Sequence, residues 1–371
     1  MKHSWRIGRI LGIDIFIDSS WLVIFVLFTW VLSETYFPQN FSGWQRSVYW
    51  LTGLLTSLFV FASVLFHELA HSLVAIQQGE KVRSITLFIL GGVAQITEEP
   101  KEPLKEFTMA LLGPLSSLFL AFVFFIFSLF LRTTSEPLFA LTSYLAVINT
   151  VLAVFNLLPG FPMDGGRVLR SIIWKLTGDL RRATKIASVT GQVFSFLLIG
   201  IGILHILRGN LSGLWLIFIG WFLHSAAVRG YEQVIVESML KGVRAEDLMT
   251  ENFKTVPTSL SVKELVENFI LRERERVFLV ADEERLKGIV CLEDVKKLPQ
   301  ERWATTTVGE IMTPREKLEA VSFDTDGRSI LTSLTSKDVN QVPVMEGDRI
   351  AGIICRNDIL RFIQLRSELG V

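Results

Sequence analysis

A chain of 371 residues with 37 Lys and Arg against 37 Asp and Glu has no net charge, which gives no reason to expect nucleic acid as a partner. Half of its residues are hydrophobic, yet residues 1–226 hold only 28 of the 74 charged side chains and the last 145 residues hold 46, so an apolar membrane part precedes a soluble one. Its two cysteines, Cys291 and Cys355, both fall in the soluble part, and their number excludes a disulfide framework and a cysteine zinc site.

The chain opens on a basic segment, after which Ile13, Ile15 and Ile17 alternate with Asp14, Phe16 and Asp18, the period of a half-exposed strand. Apolar spans follow at about 21–32, 50–76, 107–131, 138–158, 186–207 and 211–227, with the true ends of the short first span expected a few residues further out. No small-residue cleavage site follows the first span, so it reads as a retained anchor. Eight of the nine Trp precede residue 225, several at span edges where an amphipathic ring suits the interface. Between the second and third spans, Ser84 to Ile96 is apolar and β-branched around Gly91-Gly92. It is too short to cross, which predicts a strand or re-entrant hairpin in preference to a surface loop.

The second span contains Phe66-His67-Glu68-Leu69-Ala70-His71. An ionisable side chain at membrane depth costs at least a few kcal/mol, about 2.5–3.5 on insertion scales, and three within five residues need a partner that offsets the burial. A metal would do so. Positions i and i+4 share one helix face, so His67 and His71 can aim at a single ion, and Glu68 beside them is placed to move a proton. The alternative is a pair of histidines buried between helices and hydrogen-bonded to carbonyls.

A zinc hydrolase needs a third protein ligand and one open position. The segment Asn156-Leu-Leu-Pro-Gly-Phe-Pro-Met-Asp164-Gly-Gly-Arg167 follows the fourth span, and its two prolines and three glycines predict a break in the helix. Non-helical backbone at membrane depth is tolerated only where it is buried in protein or lines a cavity, so Asp164 is the best candidate for that ligand.

Together these motifs resemble the site-2 protease family of intramembrane zinc metalloproteases. There an HExxH on one transmembrane helix and an N-x-x-P-x-x-x-x-D-G segment on a later one supply the metal site, and His67, Glu68, His71, Asn156, Pro159, Asp164 and Gly165 stand at those places. Gly91-Gly92 before the third span and Gly113-Pro114 inside it extend the resemblance over about residues 5–230. It implies zinc held by His67, His71 and Asp164, with Glu68 as general base and acid and Asn156 steadying the polarised carbonyl. It also implies a small sheet at the membrane edge, whose free edge an extended substrate could join through main-chain hydrogen bonds.

Lys and Arg in the connecting loops set the expected orientation. The N-terminal segment and the loops after spans two and four hold 3, 4 and 6 of them, whereas the alternate loops hold one each: Arg46, Arg132 and Arg208. Both termini are then cytoplasmic, and spans two and four both run inward. His67, His71 and Asp164 accordingly fall at the same depth, near the cytoplasmic face.

A helical linker, Tyr231 to Leu240, leads to a tandem repeat with a period of about 64 residues. Ala245-Glu-Asp-Leu-Met249 recurs as Val308-Gly-Glu-Ile-Met312, and Gly288-Ile-Val-Cys291-Leu-Glu-Asp294 recurs as Gly352-Ile-Ile-Cys355-Arg-Asn-Asp358. The repeat resembles a pair of CBS domains, βαββα modules that dock in tandem and often hold an adenine nucleotide in their clefts. In that family the corresponding motif supplies a hydroxyl for phosphate and an aspartate for ribose. Here Asp294 and Asp358 are present, but cysteine, a weak donor, replaces the hydroxyl residue in both repeats. A ligand-free structural or dimerisation module is the alternative.

The sequence therefore predicts a polytopic α-helical membrane domain of about six transmembrane helices with a small membrane-edge β-sheet, 1–229, followed by a helical linker, 230–242. An α/β tandem CBS pair completes it, with repeats at 243–303 and 304–371. The predicted activity is a zinc metalloendopeptidase, seated in the lipid bilayer, that cuts a peptide bond in or near the transmembrane segment of a transmembrane protein substrate. A soluble pair that binds adenine nucleotide or joins two chains as a homodimer would modulate it. The competing class is a transporter or channel gated by its CBS pair, with the histidines in an ion path.

Overall fold

Asp18 closes a strand and caps the first long helix, its Oδ1 accepting from the Ser20 backbone N–H at 2.9 Å and the Ser20 hydroxyl at 2.6 Å. The computed structural model describes residues 4–369, apart from 90, 97–99, 101, 252, 274, 283–284, 319, 337–338 and 347–348. It divides into two compact units, Met1–Val234 and Ile235–Val371.

In the first unit, β1 (Ser4–Ile10) and β2 (Ile13–Asp18) precede α1 (Ser19–Val31), which runs through a π-helical turn, Leu32–Tyr36, into α2 (Phe37–Asn40). Then come α3 (Arg46–Gln77), β3 (Val82–Phe88), β4 (Gly91–Ile96), α4 (Pro103–Leu131), α5 (Glu136–Asn156), α6 (Asp164–Thr177), α7 (Leu180–Leu207) and α8 (Gly213–Met239), whose last residues belong to the second unit. Six segments among the described residues are long and apolar enough to cross a membrane: Ser19–Asn40, α3, α4, α5, α7 and α8. They correspond to the six spans read from the sequence to within a few residues at most ends, and the first extends beyond its apolar core as expected.

The segment Ser84 to Ile96 contributes to two strands, β3 and β4. β3 and β4 are antiparallel, β3 pairs in parallel with β2, and the sheet order is β1-β2-β3-β4. Ile13, Ile15 and Ile85 bury one face of this sheet against Leu65 and Leu69 of α3, so β-sheet and metal-motif helix share one small core.

One element departs from the sequence reading. The break in the helix covers Leu157 to Met163, but regular helix resumes at Asp164, so Gly165 and Gly166 lie in the first turn of α6. Their backbone is buried there, and tertiary packing overrides the weak helix propensity of glycine. α6 packs against α4 and α7 and ends at Gly178, whose φ of 70° supplies the left-handed cap.

The second unit holds α9 (Ala245–Leu248), then β5 (Thr255–Val256) and a helical stretch from α10 (Val262–Glu264) through a π turn to α11 (Leu271–Glu273). It continues with β6 (Val277–Asp282), β7 (Arg285–Cys291), α12 (Leu292–Lys296), α13 (Val308–Ile311), β8 (Thr313–Pro314) and β9 (Val321–Ser322). The chain ends with α14 (Gly327–Ser336), β10 (Gln341–Glu346), β11 (Arg349–Cys355) and α15 (Arg356–Leu369). The two repeats exchange their leading segments. Ala245 and Leu248 are buried with Ile330, Val342 and Ile354 of the second repeat, while Val308 is buried with Val256, Phe278 and Val290 of the first. Leu279 and Ile289 meet Ile350 and Ile353 in a third cluster that joins the halves.

Candidate metal centre

α3 places His67 and His71 on its buried face, 4 % and 6 % exposed, and α6 brings Asp164 to them from 93 and 97 residues away. Asp164 Oδ2 lies 3.1 Å from Nε2 of each histidine, and the two Nε2 atoms are 3.2 Å apart. The other ring nitrogens are anchored on α4: His71 Nδ1 meets the Met109 carbonyl at 2.7 Å and His67 Nδ1 the Ser117 hydroxyl at 2.9 Å.

These contacts bear on what the cluster can hold. A carbonyl can only accept, so His71 Nδ1 carries a hydrogen, and in the neutral ring Nε2 presents a lone pair. With His67 neutral and its Nδ1 donating to Ser117, two nitrogen lone pairs and a carboxylate oxygen face one point. A divalent cation fits such a set. Two imidazoles and a carboxylate are a usual donor set for zinc, and arms of about 2.0–2.1 Å in a tetrahedron put neighbouring ligand atoms about 3.3–3.4 Å apart. The separations of 3.1–3.2 Å here fit that demand, and a fourth position remains for water.

Two glycines make room. A Cβ at Gly113 of α4 would lie 2.1 Å from His71 Nε2 and 2.8 Å from His67 Nε2, inside the space a metal needs. A Cβ at Gly92 of β4 would lie 2.5 Å from Glu68 Cγ, so this strand passes directly against the glutamate. Glu68 is thereby held between the histidine pair and an edge strand.

The structure therefore joins His67, His71 and Asp164, with Glu68 beside them. Asn156 is the half-buried last residue of α5, and the described hydrogen bonds that tie the three ligand candidates together do not include it. Asp294 and Asp358 sit in the second unit and act as helix caps. Asp294 Oδ2 accepts from the Cys291 N–H at 3.1 Å and its thiol at 2.9 Å, and Asp358 Oδ2 accepts from the Cys355 N–H at 2.9 Å. The C-x-x-D pattern is thus a capping box with a thiol in place of a hydroxyl.

Sequence reasoning missed Ser117 and the Met109 carbonyl, since neither has a signal beyond its place on the α4 face that contains Gly113. It also missed a buried ion pair between Glu106 of α4 and Arg170 of α6, 0 % and 4 % exposed.

The model of peptidase family M50 matches residues 55–136 and 132–199, and that of the CBS domain matches 245–301 and 308–365. A protein of Mycobacterium tuberculosis named as a zinc metalloprotease, Rip3, is 34 % identical over 98 % of this chain and 94 % of its own. The zinc metalloprotease MJ0392 of Methanocaldococcus jannaschii is 32 % identical over 100 % of this chain and 99 % of its own. A solved site-2 protease from Methanocaldococcus jannaschii is 31 % identical and covers 62 % of this chain and 95 % of that one, with a TM-score of 0.42.

Proposed function

The chain belongs to peptidase family M50, the zinc metalloproteases of site-2 protease type, and on that premise we propose that it hydrolyses a peptide bond in or beside the transmembrane segment of another membrane protein. The observation that carries this reading is the meeting of His67 Nε2, His71 Nε2 and Asp164 Oδ2 within a bundle of membrane-length helices, with Glu68 alongside. Zinc bound there supplies a Lewis acid for the scissile carbonyl and makes water more acidic. Glu68 takes the proton from the attacking water and returns it to the leaving amine. Asn156 steadies the carbonyl oxygen as its charge grows.

A helix hides its peptide bonds in hydrogen bonds, so the substrate has to be extended before attack. β4 is the last strand in the sheet order β1-β2-β3-β4 and lies against Glu68 through Gly92. An extended segment that adds to β4 through main-chain hydrogen bonds brings its carbonyls beside the catalytic carboxylate. Arg46, Arg132 and Arg208 face away from the cytoplasm, with both termini inside it. The second unit modulates the protease by holding an adenine nucleotide whose ribose meets Asp294 and Asp358.

The test is zinc quantification on purified protein together with cleavage of candidate single-span membrane proteins. Zinc at one per chain and cleavage near the substrate's membrane segment are expected. A metal-free protein that conducts ions or moves a solute would replace this reading with that of a transporter. Cysteines introduced beside Arg46, Arg132 and Arg208 should react with an impermeant reagent in intact cells, and labelling beside Arg170 would reverse the orientation.

A further inference from the structure

The carboxylate of Glu106, in the first turn of α4, accepts from Arg170 Nε at 2.6 Å and is also touched by Nη2, while Arg167 Nε lies 3.8 Å away. Burying two such ions costs several kcal/mol each, and replacing a buried pair by apolar side chains is often neutral or stabilising. Net stability is therefore a weak reason for this pair to stand here.

Its location supplies a better one. Glu106, Met109, Gly113 and Ser117 follow one another at spacings of three and four and so share one face of α4. The last three hold or accommodate the two imidazoles. On α6, Asp164, Arg167 and Arg170 recur every three residues, and the Arg170 guanidinium also lies 5.2 Å from the ring centroid of Phe161 in the loop that delivers Asp164. The first turn of α6 is Asp164-Gly165-Gly166, so the glycines beside the carboxylate offer no side chain to fix its direction. A metal-binding constellation has to be held to within about 0.5 Å.

We infer that Glu106 and Arg170 are positioning residues that lock α6 onto α4 so that the Asp164 carboxylate meets both imidazoles. The inference rests on metal ligation by His67, His71 and Asp164. It deepens that reading by assigning the alignment of the third ligand to a salt bridge on the face of α4 that also carries the histidine anchors.

The experiment uses the full-length protein in detergent, with Arg170→Met, Glu106→Gln, the double variant and Arg170→Lys. It reads zinc affinity by chelator competition, the visible absorption of the cobalt-loaded protein and the melting temperature. Each single variant removes one partner of the buried pair and should lose both stability and zinc affinity. The double variant removes both charges and should recover most of the melting temperature. Its zinc affinity should stay about 10–100-fold weaker, as for loss of a group that supports a ligand, and its cobalt spectrum should be altered. Arg170→Lys keeps the charge but cannot put two nitrogens on Glu106 and a planar face on Phe161, so it should fold and bind zinc more weakly. Wild-type zinc affinity in the double variant, or in Arg170→Lys, overturns the proposal. Asp164→Ala run in parallel separates the two ideas: zinc retained there sinks the ligand assignment itself, whereas zinc lost there and kept in the Arg170 variants sinks only the lock.

Discussion

Asp164 in the first unit and Asp294 with Asp358 in the second are carboxylates at the start of helices, and their partners differ in two ways. Asp164 meets groups 93 and 97 residues away, and they are imidazole nitrogens that can serve as metal ligands. Asp294 and Asp358 meet groups three residues away, and those are N–H and S–H donors. A carboxylate that faces donors is satisfied where it stands. One that meets two imidazoles from another helix can share a cation with them, and its own helix has to be held in place by the rest of the fold. Burial sharpens the contrast, since His67, His71 and Asp164 have side chains 5 %, 7 % and 14 % exposed and bulk water does little to screen them.

The widest gap between the two kinds of carboxylate appears on truncation. Asp164→Ala is expected to abolish both zinc retention and cleavage, because one of three protein ligands is lost from a site with no spare. Asp294→Ala should leave zinc and basal cleavage intact and cost the second unit about 0.5–2 kcal/mol, the usual loss of a helix cap. Zinc content and a denaturation midpoint on each variant decide it, and zinc lost from Asp294→Ala would erase the distinction. Glu68→Gln belongs next in size. It keeps a polar group of the same shape but removes the shuttle, so zinc should stay bound while kcat falls by about 10²–10⁴-fold. Near-normal turnover would remove Glu68 from the mechanism.

The same contrast explains what the sequence disclosed. The meeting of His67 and His71, with Glu68 beside them, was legible because i and i+4 share one helix face. Asp164 became legible because a Gly- and Pro-rich break in an apolar region needs a reason. The alternating isoleucines of β2 and the six apolar spans follow from periodicity and length alone. What stayed hidden depends on which surface meets which. Ser117 is one hydroxyl in a serine-containing apolar span, and nothing local says that it faces His67. Glu106 and Arg170 read as charges of connecting loops, although the fold buries both. Gly165-Gly166 read as part of a break in the helix, although they lie in the first turn of one. The repeat gave the βαββα modules but not the exchange of α9 and α13 between halves, since the similarity of two copies says nothing about which copy a segment packs on.

Ser117→Ala tests the same idea at the edge of the metal centre. The hydroxyl meets His67 Nδ1 at 2.9 Å and so supports the plane of that ring, and its removal should weaken zinc binding by about 10–100-fold. Cleavage at saturating zinc should be close to normal. Unchanged zinc affinity would mean that the bundle alone orients His67.

The smallest effects are expected where the carboxylates are already satisfied. Burial pushes the Cys291 thiol up to about 11 and the Cys355 thiol to about 12, with the neighbouring Asp294 and Asp358 adding to the rise. Both thiols are therefore neutral at pH 7. The folded chain holds these protons more tightly than the unfolded one, so their contribution is fully present below about pH 9 and drains away as pH rises toward 11 and 12. A neutral thiol is a weak donor, which makes it a poor cap and a poor phosphate ligand. The outer carboxylate oxygens can still accept from ribose hydroxyls, because an ionised carboxylate has about four lone-pair sites and capping uses only some of them. Calorimetry on the full-length protein in detergent should then show little discrimination between adenosine, AMP and ATP. Cys291→Ser and Cys355→Ser put a hydroxyl back at each place, and should raise the stability of the second unit slightly and favour AMP and ATP over adenosine by a few-fold. If neither the native chain nor the serine variants bind adenine nucleotide at millimolar concentration, the carboxylates of the second unit are caps alone and the pair joins chains or merely packs.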